Sequence, residues 1–153
     1  MIDSIKTHSV TFPSGLVSFS IDDSLKVNYG EKHPFTMVIY FSPALCNVCN
    51  LTRLSDYEGL HEHLLGTKII YILSYHQKNE EEEIKSLLEE INFRQSVYLD
   101  CGDFFGRENE FIPRNPLFHT FLINNENKIL VIGDPTRNQK IHNLYIESIS
   151  NGK

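Results

Sequence analysis

Cysteine is scarce in this sequence: only Cys46, Cys49 and Cys101 occur among 153 residues. An odd, small number of cysteines rules out the disulfide framework of a small secreted scaffold. No such staple is needed, because a domain of this length buries about 70% of the surface its unfolded chain exposes. Basic runs are missing as well. The 14 Lys and Arg residues are scattered and the formal net charge is −6. That excludes a general nucleic-acid binder, which needs a basic stripe to displace counterions. No apolar stretch reaches the ~18 residues of a membrane-spanning helix. Low-complexity tracts and internal repeats are also absent. The opening MIDSIKTHSV lacks the basic patch and apolar core of a signal peptide. Such a start fits a cytoplasmic protein. It fits equally an extracytoplasmic one, periplasmic or membrane-anchored, whose leader lies upstream.

What is present is an alternation of strand and helix patterns. Residues 8–20 carry Val10, Phe12, Leu16, Val17 and Phe19 around Pro13-Ser14-Gly15, which predicts two short strands and a turn. Residues 21–29 alternate weakly and predict a further edge strand. FTMVIYF at 35–41 is a continuous apolar run, the pattern of a strand buried on both faces. Val48, Leu51, Leu54, Leu60 and Leu64 recur at three- and four-residue steps or their sums. They predict a helix over residues 47–65, with a kink at Gly59 and a stop at Gly66. KIIYILS at 68–74 predicts a second buried strand. Asn79 reads as the N-cap of the next helix, whose apolar face is Ile84, Leu87, Leu88 and Ile91. Glu80 to Glu83 fill its first turn, where the dipole favours acids, so this run is a solvated helix start and not a metal or partner site. SVYLD at 96–100 is a strand, and 101–116 reads as irregular. Residues 119–123 and 128–132 form a hairpin around Asn124-Asn125-Glu126-Asn127. Residues 136–150 close the chain as a helix with Ile141, Leu144, Tyr145 and Ile149 on one face. Alternating β and α elements imply parallel strands with right-handed crossovers, and the hairpin makes the sheet mixed. The class is α/β: one domain, with N-terminal strands in 1–34 packed on a core over 35–153.

The chemistry concentrates at Cys46-Asn47-Val48-Cys49. CxxC alone is a weak signal, because zinc knuckles also use it and free cysteine is a common core residue. Following a buried strand and opening a helix, it points to a redox pair. A helix N-terminus aims unpaired N–H groups at the first sulfur and favours its thiolate, the nucleophile of disulfide exchange. Cys46 is therefore assigned as attacking thiol and Cys49, one turn on, as resolving thiol. Asn47 and Val48 offer no cation, so the expected depression of the Cys46 pKa is moderate, and the role is reducing or mildly oxidising.

FTMVIYFSPALCNVC resembles the strand-loop-helix unit of the thioredoxin-like superfamily. The order of KIIYILS, SVYLD, HTFLINNENKILVIG and a closing helix is similar to the same group. It is most similar to the bacterial branch related to TlpA and the peroxiredoxins. That resemblance implies a thiol-disulfide oxidoreductase with extra N-terminal strands and no bound cofactor. Its partners would be oxidised or reduced proteins and an upstream thiol donor. It also marks departures. Phe118 stands where such enzymes carry a cis-proline, and a cis bond before it would cost about 3 kcal/mol, so trans is expected. Tyr40 replaces the buried acid, and Leu45 the aromatic residue before the first cysteine. Pro43 stands where peroxiredoxins place a threonine.

Two further residues bear on function. His119 follows the proline-equivalent position; it is either a proton shuttle or cation for the thiolate, or a hydrogen-bonded structural histidine, and the second is favoured. Cys101 follows the strand at 96–100, at the sheet edge of the CxxC, where a free, half-buried thiol is favoured over an accessory one. A zinc set of Cys46, Cys49, His61 and His63 fails, because helix residues two apart diverge. Cys46, Cys49 and His119 form a better metal set, suited to copper(I) or zinc in a thioredoxin-like metal chaperone. A fold that has lost turnover and only binds is the third alternative.

Overall fold

The computed structural model describes residues 5–22, 33–64 and 66–152. Strand β1 is Val17–Phe19, β2 is Phe35–Phe41, β3 is Lys68–Tyr75, β4 is Val97–Cys101, β5 is Thr120–Asn124 and β6 is Ile129–Ile132. They form one six-stranded sheet in the order β1-β4-β3-β2-β5-β6. β2, β3 and β4 are parallel, while β1, β5 and β6 run antiparallel to their neighbours. The sheet is thus mixed, as the hairpin implies.

β2 is central because every one of its residues is apolar or small enough to bury. All seven are buried. Its odd-numbered side chains, Phe35, Met37, Ile39 and Phe41, face the larger apolar cluster. Val38 and Tyr40 face the second cluster with Ile70, Ile72 and Phe121. The first face is covered by helix α3, Glu80–Glu90, through Ile84 and Leu88, and by α5, Gln139–Asn151, through Tyr145 and Ile149. The second face is covered by Ile5, Val10 and Leu16 and by Phe105 of the short helix α4, Phe104–Glu108.

Several expectations need correction. The helix over 47–65 is three pieces: α1, Asn47–Leu51; a 3₁₀ turn, Leu54–Tyr57; and α2, Leu60–His63. The buried residues explain it. Leu51, Leu54, Tyr57 and Leu60 recur every third position, which matches the 3.0-residue turn of a 3₁₀ helix better than the 3.6 of an α-helix. Val48, counted as part of the apolar face, is 48% exposed. Gly66 does terminate this region, with φ +84°.

Asn79 has helical backbone angles and no side-chain cap; the N–H groups of His76 and Gln77 are instead taken by the Glu80 carboxylate, at 3.1 and 2.8 Å. On α3, Ile91 is exposed, as is Leu144 on α5. α5 begins at Gln139, capped by the Asn138 side chain, because Asp134 holds Thr136 in a turn before it. Of the two N-terminal strands only β1 forms; Ser9 makes a single bridge to Lys128. The edge strand over 21–29 falls mostly outside the described residues. The irregular 101–116 stretch contains α4 and leads into a 3₁₀ turn, Pro116–Phe118.

Leu88 is 1% exposed, beneath the sheet. Leu88→Ala is expected to lower the unfolding free energy by about 2–5 kcal/mol, read as a lower urea midpoint at unchanged slope. A loss below about 1 kcal/mol would contradict this packing of α3.

Candidate active site

The C-terminal end of β2 runs into residues 42–45, and that loop delivers Cys46 to the start of α1. Two side-chain hydrogen bonds shape the loop. Ser42 Oγ accepts the Ala44 N–H at 3.2 Å, and the buried Asn50 side chain donates from Nδ2 to Ser42 O at 3.2 Å. Cys46 is the N-cap of α1, with extended backbone (φ −68°, ψ 152°), and its Sγ accepts the Cys49 N–H at 3.2 Å. Cys46 and Cys49 form a disulfide, their Cα atoms 5.2 Å apart. Both residues are exposed. Leu45 and Val48, flanking the sulfurs, are 41% and 48% exposed. Asn47 is half-buried and donates from Nδ2 to Glu80 Oε1 at 3.1 Å.

Behind the loop lies a buried polar group. The Tyr40 hydroxyl donates to Asp103 Oδ1 at 2.6 Å. Asp103 adopts a left-handed conformation (φ 54°) and caps α4 by accepting the Gly106 N–H. The neighbouring Asp100 carboxylate accepts the N–H groups of Phe104 and Phe105 and the Ser74 hydroxyl. Burial first, then the Asp103 carboxylate, pushes the Tyr40 phenol well above its ordinary value. Tyr40 is thus a fixed donor and no base; the acid nearest this position is Asp103.

The His119 ring packs on Tyr40, centroids 4.9 Å apart. It is buried, and its Nε2 lies 2.8 Å from Pro113 O. A carbonyl only accepts, so Nε2 carries the proton. Burial holds the imidazole below its ordinary pKa. His119 closes the 3₁₀ turn, and β5 starts one residue later, at Thr120.

Two clefts border the 42–45 loop. One of about 540 Å³ reaches Pro43, Asp103, Arg107 and Arg114. Another of about 200 Å³ reaches Leu45, Asn50, Arg53 and His119. Phe118 is half-buried in the turn beside the latter, and no cis peptide bond occurs among the described residues.

The metal set of Cys46, Cys49 and His119 is not assembled. Among the described residues no three His, Cys, Asp or Glu side chains are placed to hold an ion. The reason is local: His119 is engaged with Pro113 O and stacked beneath the loop, while the two sulfurs face solvent and each other. His61 lies 2.9 Å from the Tyr71 hydroxyl, and His63 faces His142. Cys101 is a free, half-buried thiol packed on the larger cluster and paired in register with Tyr75. β3 separates its strand from β2, a gap of about 10 Å at ~4.8 Å per strand.

Sequence patterns did not reveal Asn50, Asp103 or the Asn47–Glu80 contact. A capping aspartate ahead of Phe104-Phe105-Gly106 was the available signal for Asp103. The other two contacts join residues that periodicity treats separately.

With this geometry in place, comparison with solved structures is decisive for the fold. The chain matches a DsbF homologue from Corynebacterium diphtheriae at 10% identity and TM-score 0.55, covering 92% of this chain and 98% of that one. It matches StoA from Bacillus subtilis at 15% identity and TM-score 0.52, covering 85% and 98%. A Bacteroides vulgatus protein, whose name proposes a thiol-disulfide oxidoreductase, aligns at 16% identity and TM-score 0.53 over 92% and 91%. The fold is thioredoxin-like. No family model matches the chain, and no curated protein does. Within the thioredoxin-like fold the CxxC occupies the loop and first helical turn after the central strand, as the sequence motif implies.

Burial lowers the pKa of His61 as well as His119. Both are neutral in the fold and gain protons more readily in the unfolded chain. Stability is therefore full above about pH 6.5, the unfolded value, and is lost as pH falls from there through the lowered folded values. His119→Gln, which keeps a donor for Pro113 O, should flatten part of this decline in urea titrations between about pH 7 and about pH 5. An unchanged slope would show that His119 titrates normally.

Proposed function

We propose that this protein is a thiol-disulfide oxidoreductase that reduces or isomerises protein disulfides. Cys46 is the attacking and Cys49 the resolving thiol. The observation that carries this reading is the exposed Cys46–Cys49 disulfide at the N-cap of α1, after a strand buried on both faces. The narrower placement in the branch related to TlpA and the peroxiredoxins is part of the proposal and rests on element order.

The chemistry follows from the sulfur positions. In the reduced pair the Cys46 thiolate attacks one sulfur of a substrate disulfide, forming a Cys46–substrate bond and expelling a substrate thiolate. Cys49, deprotonated, then attacks Cys46 Sγ. The internal disulfide forms, the second substrate thiolate leaves, and two electrons have passed to the substrate. A dithiol donor reverses the internal bond for the next cycle. The sulfurs carry the electrons, so the cycle needs no bound cofactor.

Two features support the assignment of roles. The Cys49 N–H already points at Cys46 Sγ, and a hydrogen bond to the charged form favours the thiolate. α1 is only five residues long, so its dipole is weak and no cation adds to it; a moderate reductant results. The exposed Leu45 and Val48, with Leu117 74% exposed in the turn before β5, offer apolar contacts to an extended protein segment. No helix among the described residues is long and apolar enough to cross a membrane.

Insulin reduction by dithiothreitol tests the reading. Cys46→Ser should fall to the uncatalysed rate. Cys49→Ser should accumulate a mixed disulfide, seen by mass spectrometry. Equal turnover by Cys46→Ser and wild type would sink the proposal and leave a binding module.

A further inference from the structure

The contact between Asn47 and Glu80 joins the residue between the cysteines to a different helix. Glu80 opens α3, and its carboxylate is anchored at three points. Oε2 accepts the His76 and Gln77 N–H groups at 3.1 and 2.8 Å. Oε1 accepts Asn47 Nδ2 at 3.1 Å. These donors, the Gln77 N–H first, hold the carboxyl below the usual range; it is a permanent anion against the redox segment.

The neighbouring lysines are engaged by other carboxylates. Lys78 pairs with Glu81 at 2.9 Å, and Lys85 lies 3.9 Å from both Glu81 and Glu82. His76 presents its backbone N–H to Glu80, and the charge of its ring is the smallest of the influences that lower this carboxyl. α1 contributes no charged side chain, since its sequence is NVCNL. The next cation along the chain, Arg53, lies over the Phe41 ring and donates to the Tyr57 hydroxyl. Arg107 is engaged with Gly102 O and Phe104.

We propose that Glu80 is a positioning residue of the redox centre: it clamps Asn47 between the two cysteines, and its fixed charge disfavours the Cys46 thiolate. This rests on the redox reading above and deepens it. A carboxylate beside the segment raises the free energy of the dithiolate-competent, reduced form relative to the neutral disulfide. The pair is thereby a stronger reductant than the sulfur-directed N–H alone would make it.

The test uses the full chain, with thiolate absorbance for the Cys46 pKa and equilibration with glutathione for the redox balance. Glu80→Gln keeps an acceptor and removes the charge. It should lower the Cys46 pKa by about half a unit and shift the equilibrium about threefold toward the dithiol at about pH 8, or about 14 mV at 29.6 mV per tenfold. Glu82→Gln, on the exposed side of the same helix, should move neither. A purely structural Glu80 would alter stability and leave both readings in place.

If Glu80→Gln fails to fold, the same charge is screened in the wild type. The Cys46 pKa should then fall as ionic strength rises from about 0.02 to about 0.5 M, and a constant value overturns the proposal. A wild-type pair that equilibrates with glutathione, with Glu80→Gln unchanged in both readings, overturns this inference alone. A wild-type pair with no reversible equilibrium overturns the redox reading and this one with it.

Discussion

Strand β2 is hydrogen-bonded along both edges, to β3 in parallel and to β5 in antiparallel register. Its side chains fill apolar clusters on both faces. A strand confined on four sides has no freedom to slide, because a one-residue slip would exchange the two buried faces. The end of β2 is therefore a fixed point. Asn50 extends that rigidity across the turn by holding Ser42 O, so that loop and helix form one unit. The sulfurs inherit their position from this frame.

The frame also governs what surrounds the sulfurs. Below the loop, Tyr40 is locked as a donor to Asp103, and His119 is neutral and engaged with Pro113 O. Neither serves as a mobile cation for the thiolate. Beside the loop, Glu80 is an anion held by backbone N–H groups. On the reading proposed above, the field at Cys46 is a contest between the Cys49 N–H, which favours charge on sulfur, and the Glu80 carboxylate, which opposes it. Hydrogen bonds to a charged group act at contact, whereas a carboxylate that meets the segment through the Asn47 side chain is weakened by distance and solvent. With the donor dominating and the carboxylate adjusting, the proposed redox character is moderate.

Legibility in the sequence followed the strength of the physical signal. Runs such as FTMVIYF and KIIYILS are buried on both faces and read as strands without ambiguity; the structure places them one residue or less from expectation. The sheet's mixed topology followed from element order. The helix after the CxxC did not read correctly, because threefold spacing of Leu51, Leu54, Tyr57 and Leu60 was merged into an α-helical pattern. α4 escaped because two aspartates, Asp100 and Asp103, nucleate it in place of a long apolar stripe. At the site, the cysteines were legible from spacing and context. Their supporting contacts were not. Asn47 and Glu80 lie 33 positions apart, as their hydrogen bond records, and only tertiary packing of α1 against α3 brings them together.

The same end of the sheet bears on the second half of the proposed exchange reaction. Here Cys49 is exposed on the first turn of a five-residue helix, with its N–H toward Cys46 Sγ. The N–H belongs to the backbone, so in the proposed mixed disulfide on Cys46 it would still be aimed at the sulfur that Cys49 is proposed to attack. The proposed attack would need rotation about the Cys49 side-chain bond, a motion of nanoseconds for an exposed residue. Helix α1 ends at Leu51, and the chain tightens into a 3₁₀ turn beyond it, so no long helix has to move with the sulfur. In the proposed cycle, resolution would be set by deprotonation of Cys49 and by the leaving substrate thiolate, with the two Cα atoms held 5.2 Å apart.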